Sequence, residues 1–172
     1  MAIEGDTKDW TWVLQRRCEQ CGVDSAREDP ASVPALLRDA VGRWQEVLRR
    51  PDVRDRPDDA TWSPLEYAAH VRDVFGVFAG RLRLMVDEDG PTFADWDQDA
   101  AAVAGQYASQ DPAAVSAELT TAGLALADAF AAVPAGQWER RGLRSNGSEF
   151  TVRTLSQYLV HDVLHHLHDV RG

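Results

Sequence analysis

Four of the five histidines in this 172-residue sequence lie close together near its C-terminus, and the fifth, His70, lies far from them in the chain. His161 and His165 are four residues apart, so on an α-helix their imidazole rings lie one turn apart on the same face. Two imidazoles at this spacing can bind one transition metal, and His70 would complete a three-histidine site that leaves a position for water or substrate. Histidines in the last turns of a helix also interact favourably with its negative end, so the cluster by itself has two interpretations.

The helical wheel does not separate these interpretations. At about 100° per residue, His161 and His165 lie well away from the centre of the apolar stripe of their helix, and His70 lies at the flank of its own stripe. Flanking positions suit a metal site at the mouth of a helix bundle, but they suit a solvated face equally well. The apolar stripe of the last helix consists of Leu155, Leu159, Val163 and Val170.

Other polar residues near these histidines have weaker claims to a role. His168 lies on the same side as the pair and could hydrogen-bond a ligand ring or interact with the helix terminus, whereas His166 points elsewhere and is expected to be structural. Asp162 could orient a ligand ring, because metal-bound imidazoles usually donate their second N–H to a carboxylate, or it could be an exposed helical residue. Glu66 is already explained by a capping box that starts at Ser63.

A C-x-x-C motif, Cys18-Glu-Gln-Cys21, precedes all the predicted long helices. The neighbouring Arg16 and Arg17 could stabilise a thiolate, so half of a zinc site, a redox pair and a reactive thiol are competing hypotheses. A closed zinc site would need two more ligands, and the C-terminal histidine pair lies far outside finger-type spacing. A thioredoxin-like role requires a βαβ context that the sequence lacks, and a structural or loop-anchoring role stays open as well.

A basic loop precedes the histidine-rich helix in this acidic protein. Between Trp138 and Phe150 it contains three arginines, together with Ser145 and Asn146. Arginine binds carboxylates through two parallel hydrogen bonds, so Arg144 and Ser145 are candidates for substrate contact. An ordinary polar loop with surface ion pairs would explain the same residues.

The elements that would position these residues are predicted to be helical. Apolar residues recur at helical spacing, and clusters of Pro, Gly and Asp separate the helical lengths. No segment reads as a strand, and residues 134–149 are predicted to form a long loop. Four long helices in one domain predict an all-α four-helix bundle with extra short helices. The predicted long helices are Val33–Arg50, Pro64 to about Asp89, Asp111–Val133 and about Thr151–Val170, with a short helix within 92–110.

Composition and charge exclude several classes of function. With 18 Lys and Arg against 28 Asp and Glu, the net charge is −10, which disfavours nucleic acid and anionic membrane surfaces as partners. The N-terminus has no signal-peptide pattern, and the longest apolar stretch is too short to span a bilayer. Two cysteines cannot form the disulfide framework of a small secreted protein. A cytoplasmic protein is therefore expected.

Three segments resemble the DinB/YfiT-like superfamily of metalloenzymes, especially actinobacterial members related to mycothiol-dependent maleylpyruvate isomerase and thiol S-transferases. The segments are TWSPLEYAAHVRDV (61–74), RRGLRSNGSEFTVRTL (140–155) and YLVHDVLHHLHDV (158–170). They occur in the family order and at family-like separations, and the resemblance extends from about residue 33 onward.

The resemblance implies a domain organisation and a chemistry. An N-terminal extension over residues 1–32 would contain the C-x-x-C motif, and a DinB-like bundle over residues 33–172 would bind a divalent metal, zinc or nickel, through His70, His161 and His165. Such a site would lower the pKa of a small thiol, with mycothiol as cosubstrate, in a thiol transferase or isomerase acting on small electrophiles. The same site could activate water in a hydrolase, and a non-catalytic metal-binding stress-response protein is a further alternative. A homodimer is also expected.

Overall fold

The computed structural model describes residues 9–172, and most of this range is helical. Residues 1–8, which hold most of the stretch inspected for a signal peptide, lie outside the described range. The α-helices are α1 Val33–Leu48, α2 Pro64–Asp87, α3 Gln98–Ala104, α4 Pro112–Ala131 and α5 Val152–Asp169. The four long helices confirm the predicted all-α class and end close to the predicted positions. No helix within the described range is long and apolar enough to cross a membrane.

Local sequence explains where three of the long helices begin. Ser63 caps α2, because its hydroxyl accepts from the Glu66 backbone N–H while the Glu66 carboxylate accepts from the Ser63 backbone N–H. Thr151 and Thr154 form the equivalent reciprocal cap at the start of α5. At α4, the side chain of Asp111 accepts a backbone hydrogen bond from the first turn. These caps satisfy amides that have no partner within a helix, so they fix the starts of the two helices that carry the histidines.

The four long helices pack into one bundle. α4 and α5 each lie against both α1 and α2, whereas α1 and α2 contact one another much less. Buried apolar side chains from all four helices form the core, among them Trp44, Phe75 and Leu159. Gly123 lets α4 approach its neighbours closely, because a Cβ at this position would lie 2.5 Å from a methyl carbon of Val41. This packing places α5 beside α2, which brings the histidine of α2 next to the histidine-rich helix.

The prediction that residues 134–149 form a long loop, and that the chain has no strand, is wrong. A small sheet consists of β1 Thr92–Phe93, β2 Arg141–Arg144 and β3 Glu149–Thr151. β1 pairs with β2 in parallel, and β2 pairs with β3 antiparallel around a turn in which Gly147 has a φ of +96°. Strands this short show no readable alternation of apolar and polar residues, so no periodic signal predicts them. The sheet anchors the segment that leads into α5.

The segment before α1 folds against α5. The buried Gln157 of α5 donates hydrogen bonds at 3.1 Å to the backbone carbonyls of Ala26 and Glu28. Short 3₁₀ helices in this segment span Trp10–Leu14, Ser25–Arg27 and Pro30–Ser32. The N-terminal segment, as residues 9–32 are called below, therefore covers one side of the last helix.

Candidate metal centre

Helix α5 carries two pairs of potential metal donors on adjacent stripes of its surface. His161 and His165 form one pair, and Asp162 and His166 form the other, with one helical turn between the members of each pair. Because successive residues are rotated by about 100°, the two pairs face different neighbours. Asp162 and His166 meet His70 of α2, whereas His161 and His165 meet two cysteines of the N-terminal segment. Within each of these two groups, the donor atoms lie within 4.8 Å of one another.

His70, Asp162 and His166 form the first group, called the pocket triad below. His70 Nε2 lies 3.7 Å from Asp162 Oδ1, and His166 Nε2 lies 3.6 Å from the same oxygen. These separations exceed hydrogen-bond distance. Donors that share one ion at about 2.0–2.2 Å lie roughly 3.0–3.6 Å apart. The three donors are therefore nearly assembled for a common ion.

Aromatic and acidic neighbours fix the rings of the pocket triad. His70 is fully buried and lies between the rings of Trp62 and Trp96, whose centroids are each 5.4 Å from the imidazole centroid. His166 Nδ1 lies 3.0 Å from Asp169 Oδ2, which leaves Nε2 facing the rest of the triad. A carboxylate that accepts the second imidazole N–H fixes the orientation of the ring and makes the other nitrogen a better ligand.

Buried polar atoms without partners indicate that the pocket triad is adapted to a ligand. Among residues 9–172, no group hydrogen-bonds either ring nitrogen of His70 or Oδ1 of Asp162. An unpaired buried polar atom costs about 1–3 kcal/mol, and one bound ion would satisfy His70 Nε2 and Asp162 Oδ1 together. Two imidazoles and one carboxylate are also a ligand set found in catalytic metal sites. The residues present therefore fit a divalent metal.

The protonation states of His70 and Asp162 are those that a metal requires. Burial lowers the pKa of His70, and the nearby Asp162 only partly opposes this effect. Burial would raise the pKa of Asp162, but the adjacent His70 and His166 outweigh it and hold that pKa below its usual range. At neutral pH the His70 ring is uncharged and the Asp162 carboxylate is charged, so neither has to give up a proton before it binds a cation.

Asp162 and His166 of the pocket triad line a pocket of about 250 Å³, together with His161 and His165. Burial raises the pKa of Tyr67 to about 12 and also raises the pKa of Tyr158. Both phenols therefore stay protonated at neutral pH and can donate a hydrogen bond to a molecule in the pocket. The residues that line the pocket are Trp10, Tyr67, Gln98, Tyr158, His161, Asp162, His165, His166 and Asp169.

Cys18, Cys21, His161 and His165 form the second group, called the cysteine–histidine group below. Cys18 is fully buried, and its Sγ lies 3.8 Å from His165 Nδ1. Burial lowers the pKa of His161 to about 4, with the neighbouring His165 adding to this effect. Burial also lowers the pKa of His165. Both imidazoles are therefore uncharged at neutral pH and available as ligands.

The arginines beside the cysteines do not activate Cys21, contrary to the thiolate hypothesis. Arg17 Nε donates to the backbone carbonyl of Gly22 at 2.6 Å, and the Arg16 guanidinium lies over the Trp12 ring, 4.8 Å from its centroid. Burial raises the pKa of Cys21 to about 11. In the metal-free chain the Cys21 thiol is therefore protonated at neutral pH.

The structure divides the three predicted ligands between the two groups. His70 belongs to the pocket triad, whereas His161 and His165 belong to the cysteine–histidine group. Asp162, expected to orient a ligand ring or to be exposed, lies among the donors of the pocket triad. His168 is exposed and, in the part of the chain that the structure describes, belongs to neither group.

Arg144 and Ser145 lie at the small sheet, and the described residues that line the pocket do not include them. The buried Arg144 donates to Asn146 Oδ1 and to Ser148 Oγ, both at 3.0 Å. Ser145 Oγ accepts from the backbone N–H of Asp95 at 2.8 Å. These hydrogen bonds hold the turn that precedes α5, and contact with a substrate stays a prediction for both residues.

His166 is the donor that sequence reasoning missed. From the sequence it is expected to point elsewhere and to be structural, whereas its ring centroid lies 4.9 Å from that of His70 and it lies among the donors of the pocket triad. A signal was present in the sequence. Asp162 and His166 have the same four-residue spacing as His161 and His165, and they lie nearer to the apolar stripe that faces the bundle.

Comparison with known proteins places the chain in a family. The family model described as the DinB superfamily matches residues 51–170. This chain belongs to the DinB superfamily. The matched range of this DinB-superfamily chain contains the whole pocket triad and excludes the C-x-x-C motif. No curated protein matches the sequence.

A solved structure shows the same fold. YfiT from Bacillus subtilis, described as a probable metal-dependent hydrolase with an unusual four-helix bundle topology, matches with a TM-score of 0.63. The match covers 96% of this chain and 89% of that chain at 19% sequence identity. It confirms the predicted DinB/YfiT-like four-helix bundle.

Proposed function

We propose that this DinB-superfamily protein is a metal-dependent enzyme that hydrolyses a small electrophilic substrate at the pocket triad. The observation that carries the proposal is the convergence of His70 Nε2, Asp162 Oδ1 and His166 Nε2 beside the pocket, with unpaired buried atoms on the first two residues. Three protein ligands leave a coordination position open, as catalytic zinc sites do. The description of YfiT as a probable metal-dependent hydrolase supports the same chemistry.

The residues of the pocket have separate tasks in this proposal. A divalent ion such as zinc or nickel supplies a Lewis acid and lowers the pKa of a bound water or thiol toward neutrality. Tyr67 and Tyr158 stay protonated and can donate to a substrate oxygen, since burial raises the pKa of both phenols. Asp169 holds the His166 ring in the orientation that directs Nε2 to the triad.

The size of the pocket favours a small substrate with water as the attacking group. Its volume of about 250 Å³ lies just below the range of roughly 300–1,000 Å³ that is typical of small-molecule sites. A substrate of a few heavy atoms and a water molecule can occupy this volume together, whereas a large cosubstrate needs additional space.

Transfer of a small thiol is the second candidate function, because a groove of about 740 Å³ also lies at the start of α3. Asp97 and Asp99 line this groove, and Gln98 between them lines the pocket. A cosubstrate such as mycothiol could place its body in the groove and its sulfur at the triad. This candidate retains the expectation of a thiol transferase or isomerase.

The test combines metal analysis with a panel of substrates. We expect His166→Ala to bind one ion fewer per chain than the wild-type protein, while His168→Ala, an exposed histidine on the same helix, retains the wild-type content. Hydrolysis of small esters or amides without added thiol supports the hydrolase, and turnover that requires a thiol supports the second candidate. Metal binding without turnover in the whole panel would favour a non-catalytic metal-binding protein. An unchanged metal content in His166→Ala would overturn the triad.

A further inference from the structure

We propose that Cys18, Cys21, His161 and His165 bind a second, structural zinc ion that fastens the N-terminal segment to α5. This site uses none of the donors of the pocket triad and does not depend on the proposed hydrolase activity. Its two sulfurs and two imidazole nitrogens lie within 4.8 Å of one another. Two cysteines and two histidines are a donor set of closed, tetrahedral zinc sites.

The backbone around the cysteines turns so that both sulfurs can share one ion. The Cys18 backbone N–H donates to the Val23 carbonyl at 2.8 Å, and the Gly22 N–H donates to the Cys18 carbonyl at 2.9 Å. Gly22 has a φ of +77°, a conformation that glycine adopts without steric strain. The chain therefore reverses directly after Cys21, and the two sulfurs stay close together.

Three of the four donors are buried, and Cys21 is partly buried. Cys18 is 0% exposed, His161 is 4% exposed and His165 is 8% exposed. Across residues 9–172, the buried Nε2 atom of His161 has no hydrogen-bond partner. Cys18 Sγ and His165 Nδ1 are 3.8 Å apart. Sulfur and nitrogen ligands of one tetrahedral zinc, with bonds of about 2.3 and 2.0 Å, lie about 3.6 Å apart.

Asp169 supports His165 from the side opposite the cysteines. Asp169 Oδ1 lies 3.7 Å from His165 Nε2, while Asp169 Oδ2 lies 3.0 Å from His166 Nδ1. With Nδ1 of His165 directed toward Cys18, its Nε2 proton faces the carboxylate. Metal-bound imidazoles usually donate this proton to a carboxylate, and the 3.7 Å separation is longer than such a hydrogen bond. Asp169 therefore links the cysteine–histidine group to the pocket triad.

The location of the site explains what the zinc ion would do. His161 and His165 lie on the side of α5 away from its main apolar stripe, and the N-terminal segment covers them. The Trp10 ring centroid lies 5.7 Å from that of His161 and 5.2 Å from that of His165. Because Trp10 also lines the pocket, an ion in the cysteine–histidine group holds one wall of the pocket in place.

Binding exchanges two protons for one ion. Zinc(II) forms bonds to both sulfurs and to one nitrogen of each imidazole, and the two thiol protons pass to solvent. The two thiolate charges then balance the charge of the ion. The occupied site is neutral overall, which suits its enclosed position, since an uncompensated buried charge is strongly unfavourable.

The first test counts zinc ions in the full-length protein, purified under reducing conditions. We expect two ions per chain in the wild-type protein, one in Cys18→Ser/Cys21→Ser and one in His166→Ala. Gln20→Ala, which alters an exposed residue between the two cysteines, is the matched control and should retain two. If only the cysteine–histidine group binds zinc, the wild-type protein holds one ion and Cys18→Ser/Cys21→Ser loses it. If only the pocket triad binds zinc, the wild-type protein holds one ion and His166→Ala loses it.

Cobalt spectroscopy of the wild-type protein tests the same site without a variant that could misfold. Cobalt(II) added to the metal-free protein should give sulfur-to-cobalt charge-transfer absorption in the near ultraviolet together with intense tetrahedral bands in the visible. The absence of the sulfur-dependent absorption in the reduced protein would overturn the proposal.

A third outcome distinguishes this site from the histidine set predicted from the sequence. If His161→Ala/His165→Ala abolishes turnover while Cys18→Ser/Cys21→Ser keeps the full zinc content, both histidines act with His70, and the proposal fails. If the cysteine variant binds one ion fewer and melts about 5–10 °C lower than the wild-type protein, the structural role is supported.

Discussion

The two donor groups of α5 differ in their number of ligands and in what covers them. The pocket triad has three donors and lies between α2 and α5, and its Asp162 and His166 line the cavity together with His161 and His165 of the other group. The cysteine–histidine group has four donors and lies beneath the N-terminal segment. Three protein ligands leave space for a reacting molecule around an ion, whereas four close its coordination sphere. One helix can carry both kinds of site because a step of one residue turns a side chain by about 100°.

The two groups also differ in how much of each lies within the range that the family model matches, which contains all of the pocket triad but only His161 and His165 of the cysteine–histidine group. The range matched by the DinB superfamily, residues 51–170, includes every donor of the pocket triad. Cys18 and Cys21 lie before that range. The bundle can therefore build the three-donor site by itself, whereas the four-donor group requires a segment from outside the matched region. We conclude that the two groups can be removed independently.

Substitution of His70 should have the largest effect on turnover and should remove the ion of one group only. We expect His70→Ala to lower turnover to the background rate and to release one ion per chain, because His70 belongs to the pocket triad alone. The thiolate-bound ion should remain. Steady-state kinetics and elemental analysis measure the two effects, with circular dichroism to confirm that the helices persist. Loss of the thiolate-bound ion in His70→Ala would show that the two groups are not separate.

Asp169→Asn should have a smaller effect that reaches both groups. The Asp169 carboxylate faces His166 Nδ1 at 3.0 Å and His165 Nε2 at 3.7 Å. Removal of such a supporting carboxylate typically weakens metal affinity about 10–100-fold. We expect the larger loss at the pocket triad, because the contact with His166 is shorter. Competition titrations with a chelator measure both affinities, and equal losses at the two groups would contradict this ranking.

The metal-free protein should lose stability as the pH falls through the weakly acidic range. Burial lowers the pKa of His70, His161 and His165 in the folded chain, to about 4 for His161 from a usual value of 6.5. The unfolded chain therefore binds protons first, so the free energy of unfolding is highest above pH 6.5 and falls as the pH drops toward 4. His161 alone contributes about 3 kcal/mol to this fall.

Urea denaturation of the metal-free protein between pH 7 and pH 4 measures this dependence. The variant His161→Gln should show a shallower fall, because it lacks one of the three buried imidazoles whose pKa is lowered in the folded chain. A metal-free wild-type protein whose stability stays constant over this range would contradict the burial of neutral histidines.

His168→Ala should have the smallest effect, and it therefore serves as the control for the other variants. His168 is exposed, and within the described range it joins neither donor group. Exposed substitutions of this kind usually change the free energy of unfolding by less than about 0.5 kcal/mol. Metal content, turnover and melting temperature should all match the wild-type protein. A lost ion in His168→Ala would show that the C-terminal histidines act as one cluster.

The sequence predicted the helices and the histidine-rich face well, because the signals involved are local. The reciprocal cap of Ser63 and Glu66, with Pro64 at the first helical position, was readable directly and is present. The face on which each histidine lies was harder to predict, because two donor pairs of equal spacing are offset from one another by one residue in the sequence. His166 was left out of the candidate ligands for this reason.

The features that the sequence did not predict depend on contacts between residues far apart in the chain. The separation of the C-x-x-C motif from the histidines exceeds finger-type spacing, yet the fold brings Cys18 to His165 across 147 residues. Finger-type spacing describes ligands within one small unit and says nothing about a segment that folds back over a bundle. The strands β1 and β2 were missed for a related reason, since β1 pairs with a partner far along the chain.

The separation between Cys18 and its histidine partners has a consequence for the newly made protein. Translation at about 5–20 residues per second leaves roughly 7–30 s between the emergence of Cys18 and that of His165, which follows 147 residues later. During this interval the N-terminal segment has no α5 to fold against, and both thiols are open to oxidants. Damage to the cysteines is therefore most probable before the chain is complete, and oxidative stress during synthesis should harm this protein more than the same stress applied afterwards.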